Sequence, residues 1–304
     1  MRTAFIETLV QAAAEDSRIW LVTGDIGFSV VERFADRFPN RFVNAGVAEQ
    51  NMTGMAAGLA LTGAIVVTYS IANFPTLRCL EQIRNDVCAH NLPVKIAAVG
   101  GGLTYAAAGY SHQAVEDFAF LGALPNMTVV APGDPVEARL ALRAILQAPG
   151  PAYLRLGKTG ERVVHSVEPE FRLGRMIPMR RGHDVTIVST GAVLDLCLDA
   201  ADALAARGVS AEVFSSPSLS PFDQQQLIES ARSTKRVVTV EEHGPGGLAA
   251  LAGETLARAG LGVRFNPVRL CQTAAPVAGS QVPMRAAQGV SVDGIVQAAS
   301  ATPA

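Results

Sequence analysis

Short unbroken apolar runs alternate with helical stretches along almost the whole chain, and this alternation restricts the architecture more than any other feature. In the first half the runs are Ile19–Val22, Ala64–Tyr69, Pro93–Val99, Met127–Val130 and Ala152–Leu156. Helical segments are expected between them over residues 2–15, 29–37, 77–90, 111–121 and 134–146, the last opened by an Asp134-Pro135 cap. Strands that are apolar throughout, rather than at every second residue, are buried on both faces, and crossover helices cover them. A polar stretch from Gly157 to Gly182 breaks the pattern. A second alternating half follows, with strands at Asp184–Ser189, Ala211–Phe214, Arg236–Glu241 and Val263–Phe265. It ends in a loop from Pro276 to Pro283 and a last helix from Val292 to Ala299. The expected fold is therefore α/β with two doubly wound, mostly parallel domains. Their expected extents are residues 1–160 and 183–304, with a linker over 161–182.

One unit in the first half carries a chemical signal. Phe42 to Ala60 reads as a short strand, a glycine turn at Gly46, and a helix whose first turn holds Glu49. Behind Glu49 the helix is nearly all small and apolar (Met52, Met55, Ala56, Ala57, Leu59, Ala60), as in a helix buried on most sides. A carboxylate at the mouth of such a helix either complements the helix dipole or binds something, because burying it unpaired is costly. In open parallel sheets ligands sit at the carboxyl ends of the strands. That rule brings three segments into one cleft: the Gly46–Glu49 turn, the Tyr69–Phe74 segment and the Gly100–His112 loop.

Composition narrows the function classes. Charged residues make up only 17% of the 304 and hydrophobic ones 49%, which favours surface buried in an oligomer. The net charge of -2 with no basic run argues against nucleic acid as a partner. No apolar run reaches membrane-spanning length, and the N-terminus lacks the apolar core of a signal peptide. Cys79, Cys88, Cys197 and Cys271 have no metal-ligand spacing. They are expected to be reduced core thiols of a cytoplasmic protein. His90, His165 and His183 carry only a solvated helix-end or linker reading.

The motifs then resemble a known family. Gly46-Val-Ala-Glu-Gln-Asn-Met-Thr-Gly is similar to the Gly-x-x-Glu motif of the transketolase pyrimidine-binding domain. Ser111-His-Gln-x-x-Glu-Asp, with Leu124-Pro-Asn and Ala131-Pro-Gly-Asp, resembles the family's active-site loop and next strand. Val238-Thr-Val-Glu-Glu-His-Gly-Pro-Gly-Gly-Leu resembles its C-terminal domain signature, where His243 matches a position near the subunit interface. The match runs almost end to end, to the C-terminal two thirds of transketolase and especially its split, two-chain form. Deoxyxylulose-phosphate synthases and β subunits of 2-oxoacid dehydrogenases share these segments.

The resemblance implies thiamine diphosphate chemistry. Glu49 would hydrogen-bond a ring nitrogen of the aminopyrimidine and favour the tautomer that activates the cofactor. Phe74 matches an aromatic that packs on that ring, with Ile71 and Leu77 as aliphatic neighbours where aromatics often sit. His112 matches a histidine that moves protons at the substrate carbonyl oxygen. Three positions depart from the family. Ala108 stands where an acidic residue binds a donor hydroxyl, Gly100 where a histidine meets donor phosphate, and Lys158 where an arginine does. Lys158 keeps the charge without the bidentate fork. Tyr105 and Tyr110 add aromatic area and phenol groups instead, so the expected donor is not a standard pentose or ketohexose phosphate.

The chain has no Gly-Asp-Gly, the family's diphosphate and metal signature. The implied partner is an N-terminal subunit carrying Gly-Asp-Gly and a later asparagine, which would hold Mg2+ and the diphosphate. The implied assembly is a heterotetramer with two of each chain, in which this chain also self-associates. Two rivals stay open at this stage: a 2-oxoacid dehydrogenase β subunit, and a non-catalytic scaffold subunit.

Overall fold

The computed structural model describes residues 1–158, 160–271 and 278–300. The first sheet contains β1 Ile19–Thr23, β2 Phe42–Asn44, β3 Ile65–Ile71, β4 Val94–Val99, β5 Thr128–Val130 and β6 Ala152–Leu156. A seventh strand, β10 Ser218–Ser220, comes from far downstream. The spatial order is β2-β1-β3-β4-β6-β5-β10. The six strands of the first half are parallel, and β10 runs antiparallel to β5.

Both faces of this sheet are covered, as continuous apolar strands require. On one face lie α1 Arg2–Glu15, α2 Glu32–Arg37 and α6 Pro135–Gln147, with Phe5, Leu9, Phe34, Leu142 and Ile145 fully buried. On the other lie α3 Glu49–Leu61, the segment 77–88 and α5 Asp117–Gly122, burying Met52, Ile83, Val87 and Leu121. Asp134 caps α6 as expected, accepting from Glu137 N–H at 2.8 Å.

Two helical expectations need correction. The single helix expected over 77–90 is wound three ways: a 3-10 turn Leu77–Cys79, α4 Leu80–Gln82 and a π turn Ile83–Cys88. The wide turn lets Ile83, Val87 and Cys88 all face the core. The helix expected from Ser111 begins only at Asp117. Ala114 exchanges both backbone hydrogen bonds with Gly102 in a two-residue bridge, so its N–H and C=O cannot serve a helix.

The second sheet contains β7 Ile177–Arg180, β8 Val185–Thr190, β9 Ala211–Ser215, β11 Arg236–Glu241 and β12 Arg264–Val268, ordered β12-β11-β8-β9-β7. All are parallel except β7, an antiparallel edge strand lying inside the stretch expected as linker. Its helices are α7 Leu194–Ala205, α8 Gln224–Thr234, α9 Leu248–Arg258, α10 Gln281–Ala287 and α11 Val292–Ser300. The loop expected over Pro276–Pro283 lies partly outside the described residues, and its last three residues open α10. Pro283 sits in the first turn, where its missing N–H is no loss. Leu227, Ala231, Leu248 and Ala252 of α8 and α9 share one core with Ala114, Phe118 and Leu121 of the first half. No helix among the described residues is long and apolar enough to cross a membrane. Cys79, Cys88 and Cys197 are buried free thiols, but Cys271 is exposed and is not a core residue.

His165 is also not the solvated residue expected. Its side chain is buried, with Nε2 2.9 Å from Glu137 Oε1, and Asp134 Oδ2 accepts from the Val164 and His165 N–H groups. Burial alone would lower the His165 pKa, but the hydrogen bond and charge of Glu137 outweigh it and the net shift is upward. A histidine raised in the folded state adds stability that is complete below its unfolded value of 6.5 and is lost as pH rises through the folded value. The thermal midpoint should therefore fall between about pH 6 and about pH 8, where histidine titrates. Glu137→Gln should flatten that slope in melting curves recorded across the range. An equal slope in the variant assigns the pH dependence to another group.

Candidate active site

The strand order reverses at β1, which has β2 on one side and β3 on the other. Such a reversal opens a crevice at the carboxyl ends of the strands. Gly46, with φ at 71°, makes the turn out of β2 that a side chain would strain. Ala48 takes the N-cap position without a side-chain cap, and Glu49 is the first helical residue.

Glu49 is only 2% exposed. A Cβ at Gly24, just after β1, would stand 3.3 Å from Glu49 Cγ, so the first turn closes against the carboxylate. Oε2 accepts a 2.8 Å hydrogen bond from Arg78 Nη1. No described residue bonds Oε1. The carboxylate thus pairs with an arginine rather than with first-turn N–H groups, and one of its two oxygens accepts from no described residue. Oε1 is accessible from the surface, so a donor can reach the carboxylate there.

Arg78 ties the acid to the ring wall. Its Cζ lies 4.5 Å from the centroid of Phe74, and its carbonyl accepts from Gln50 Nε2 at 3.1 Å. Phe74 meets the imidazole of His112 edge-on, centroids 5.2 Å apart at 76°. His112 Nδ1 is 3.0 Å from Ser111 Oγ, and no described residue bonds Nε2. Asn73 Nδ2 donates to Ser111 O at 3.2 Å and Gln113 O at 2.8 Å, fixing the backbone on both sides of His112. Glu49, Arg78, Phe74 and His112 therefore form one chain of contacts. Arg78 and Asn73 have no role in the sequence reading. Nothing local in the sequence marks either.

The remaining predicted residues divide. Leu77 is 51% exposed and joins Phe28 at 74%, Val47 at 73% and Tyr110 at 49% as large apolar side chains left open at the carboxyl ends of the strands. Ile71 is partly buried and packs, with Tyr105, against the core shared by α1 and α6. A Cβ on Gly100, whose φ is 86°, would fall 2.2 Å from the Tyr105 ring, so that ring excludes any side chain at position 100. Burial pushes the Tyr105 phenol above its ordinary pKa, opposed in part by the Arg2 guanidinium beside it. Ala108 is exposed at the end of the short turn Ala106–Ala108. Lys158 stands apart. It lines an interdomain cleft of about 480 Å3 with Thr104, Arg162, Gln281 and Arg285, and Glu49, Phe74 and His112 are not among the residues lining it.

Comparisons with known proteins agree with the two-domain α/β fold. The family description "Transketolase, pyrimidine binding domain" matches residues 1–161, and "Transketolase, C-terminal domain" matches residues 174–295. The chain is 38% identical to a putative transketolase C-terminal section of Methanocaldococcus jannaschii, over 86% of this chain and 83% of that protein. It is 37% identical to a 6-deoxy-6-sulfo-D-fructose transketolase subunit of Clostridium sp. strain MSTE9, over 84% of this chain and 80% of that one. Among solved structures it superimposes on a split gene transketolase, described as an inactive beta4 tetramer. The TM-score is 0.88 and the identity 37%, over 98% of this chain and 96% of that chain.

Proposed function

The chain belongs to the transketolase family, and from that premise we propose that it is the pyrimidine-binding half of a two-chain, thiamine-diphosphate-dependent transketolase-like enzyme. The observation that carries the proposal is the buried Glu49 carboxylate, paired with Arg78 through one oxygen and open at the other, beside Phe74 and His112. A buried acceptor next to a flat wall fits an aminopyrimidine. When bound, the cofactor supplies the nucleophilic carbon that carries a two-carbon unit from donor to aldehyde acceptor. Glu49 Oε1 holds the proton at a pyrimidine nitrogen, Phe74 walls the ring, and Leu77 shields it from water. His112 Nε2 delivers and removes a proton at the substrate carbonyl oxygen. The exposed Phe28, Val47 and Leu77 support a second chain closing over this edge. That chain is an N-terminal subunit bearing Gly-Asp-Gly, which supplies the ligands for the diphosphate and Mg2+. The complex is a heterotetramer of two copies of each, and the exposed free Cys271 suits a cytoplasmic, reducing compartment.

The donor is other than the usual sugar phosphates. The Tyr105 ring lies over Gly100, Ala108 offers no acceptor for a donor hydroxyl, and Lys158 lines a different cleft. A 2-ketose that lacks that hydroxyl or carries a different terminal group fits better, in keeping with a relative named for a sulfonated sugar. The test is to mix the chain with its Gly-Asp-Gly partner and titrate thiamine diphosphate with Mg2+. Binding should need both chains, and tight binding to either chain alone refutes the divided site. In the same complex, kcat/KM for xylulose 5-phosphate should fall roughly tenfold or more below that of the preferred donor. Equal values would restore the standard donor.

A further inference from the structure

The loop that carries His112 is held from the other domain. It closes on itself at Gly102 and Ala114, where the two N–H···O bonds are 2.8 and 3.0 Å. Further ties at this neck reach residues 242–244 of the C-terminal domain and Arg155 of β6. Leu103 N donates to Glu242 Oε1 at 2.6 Å. Gly244 N donates to Val115 O at 2.7 Å. Arg155 Nη2 bonds Ala114 O at 2.7 Å and Glu242 O at 3.0 Å, joining the two sides.

The Glu242 side chain is itself fixed. It is 6% exposed, and its carboxylate accepts from Gln281 Nε2 and, at 3.2 Å, from Arg285 Nη1, both on α10. A Cβ at Gly102, φ 66°, would lie 2.7 Å from Glu242 Cγ and Oε1. Only glycine lets the loop neck approach the carboxylate this closely. The flanking residues have other duties. Glu241 accepts from Leu248 and Ala249 N–H at the start of α9. His243 stacks on Phe118, centroids 4.7 Å apart, and its Nε2 accepts from Phe118 N–H. His243 is thus fully buried inside this chain and packs across the seam between its two halves.

We infer that Glu242 is a positioning residue for the reaction: from the C-terminal domain it clamps the neck of the Gly102–Ala114 loop and so sets the place of His112. This rests on the reading of His112 as the proton-transfer residue. Glu242 acts on Leu103 N–H, across the bridge from Ala114, two residues beyond the imidazole. Asn73 holds the other side of the loop. Loss of Glu242 removes the tie at Leu103 and leaves the Gly102–Ala114 bridge and Arg155 to hold the neck.

The test compares Glu242→Ala and the milder Glu242→Gln by amide exchange on the full chain and by kinetics on the two-chain enzyme. Glu242→Ala should speed exchange of the amides from Leu103 to Ala114 by about tenfold or more, with β3 and β4 unchanged, because a charge-assisted bond to a backbone N–H is lost. Its kcat should fall by about tenfold, one such bond's worth of barrier, with affinity for thiamine diphosphate unchanged. Glu242→Gln keeps an oxygen for Leu103 N–H and should recover most of both. In a His112→Ala background Glu242→Ala should cost nothing further. Unaltered exchange over the loop in a folded variant overturns the clamp, whatever the activity. Faster exchange with unaltered kcat overturns the positioning role, and the kcat of His112→Ala alone then decides separately whether the imidazole takes part.

Discussion

Glu49→Gln lowers kcat of the two-chain enzyme by about 10²- to 10⁴-fold, the usual range for removing a positioned acid or base. The substitution keeps the volume and an acceptor oxygen but cannot hold a proton at the pyrimidine. The fold should survive it. Arg78, the partner left behind, is 45% exposed and turns to water. The loss of stability should stay within about 1 kcal/mol, the scale of a surface ion pair. Steady-state kinetics on the reconstituted pair, with urea denaturation of the same preparation, measures both. Turnover within a few-fold of the parent would remove Glu49 from the chemistry and leave it as a helix-end carboxylate.

Asp117→Ala has the opposite signature. Asp117 is fully buried, and its Oδ2 accepts from the Tyr153 hydroxyl at 2.5 Å. Arg155 Nε is 3.1 Å from the same oxygen, close enough for an ion pair although its N–H points off the line of a hydrogen bond. Burial first, and then the Asp117 charge, pushes the Tyr153 phenol far above its ordinary range, so it stays a donor. Removing the carboxylate strands a buried guanidinium and a buried hydroxyl, at a cost of about 3–5 kcal/mol. Arg155 is 6% exposed and has no route to water. Urea midpoints for Asp117→Ala and the smaller change Asp117→Asn check this. A loss below about 1 kcal/mol for the alanine variant would mean that the site collapses or hydrates.

The two cases mark what was legible beforehand. Glu49 stands out because a lone acid precedes a helix of small apolar residues, a local and periodic signal. The alternation of apolar runs with helices likewise declares two parallel sheets, and Asp134-Pro135 declares the start of α6. Asp117 closes the motif that begins at Ser111, but nothing local joins it to Arg155 and Tyr153. They meet only because β6 lies beside β4 and α5 packs below, contacts between residues 36 and 38 positions apart. Arg78 and Asn73 fall short for the same reason: each acts on a residue from another element. The helix expected from Ser111 is lost to the Gly102–Ala114 bridge, a pairing that propensity does not register. Strand β7 was hidden in a polar stretch, as edge strands are when charge protects them. Strand β10 has only three residues and pairs with the opposite half of the molecule.

That last strand bears on how the protein can be taken apart. Ser218–Ser220 completes the outer border of the sheet built by residues 19–156, and Ser220 Oγ also bonds Met127 O at 2.9 Å. A protease cut between Leu156 and Ile177 therefore leaves two fragments that remain clasped, since the second still lends its rib to the first. Chimeras that swap the rear half between relatives inherit the same constraint: the graft must bring a segment matching β5, or the recipient is left with a bare, adhesive margin.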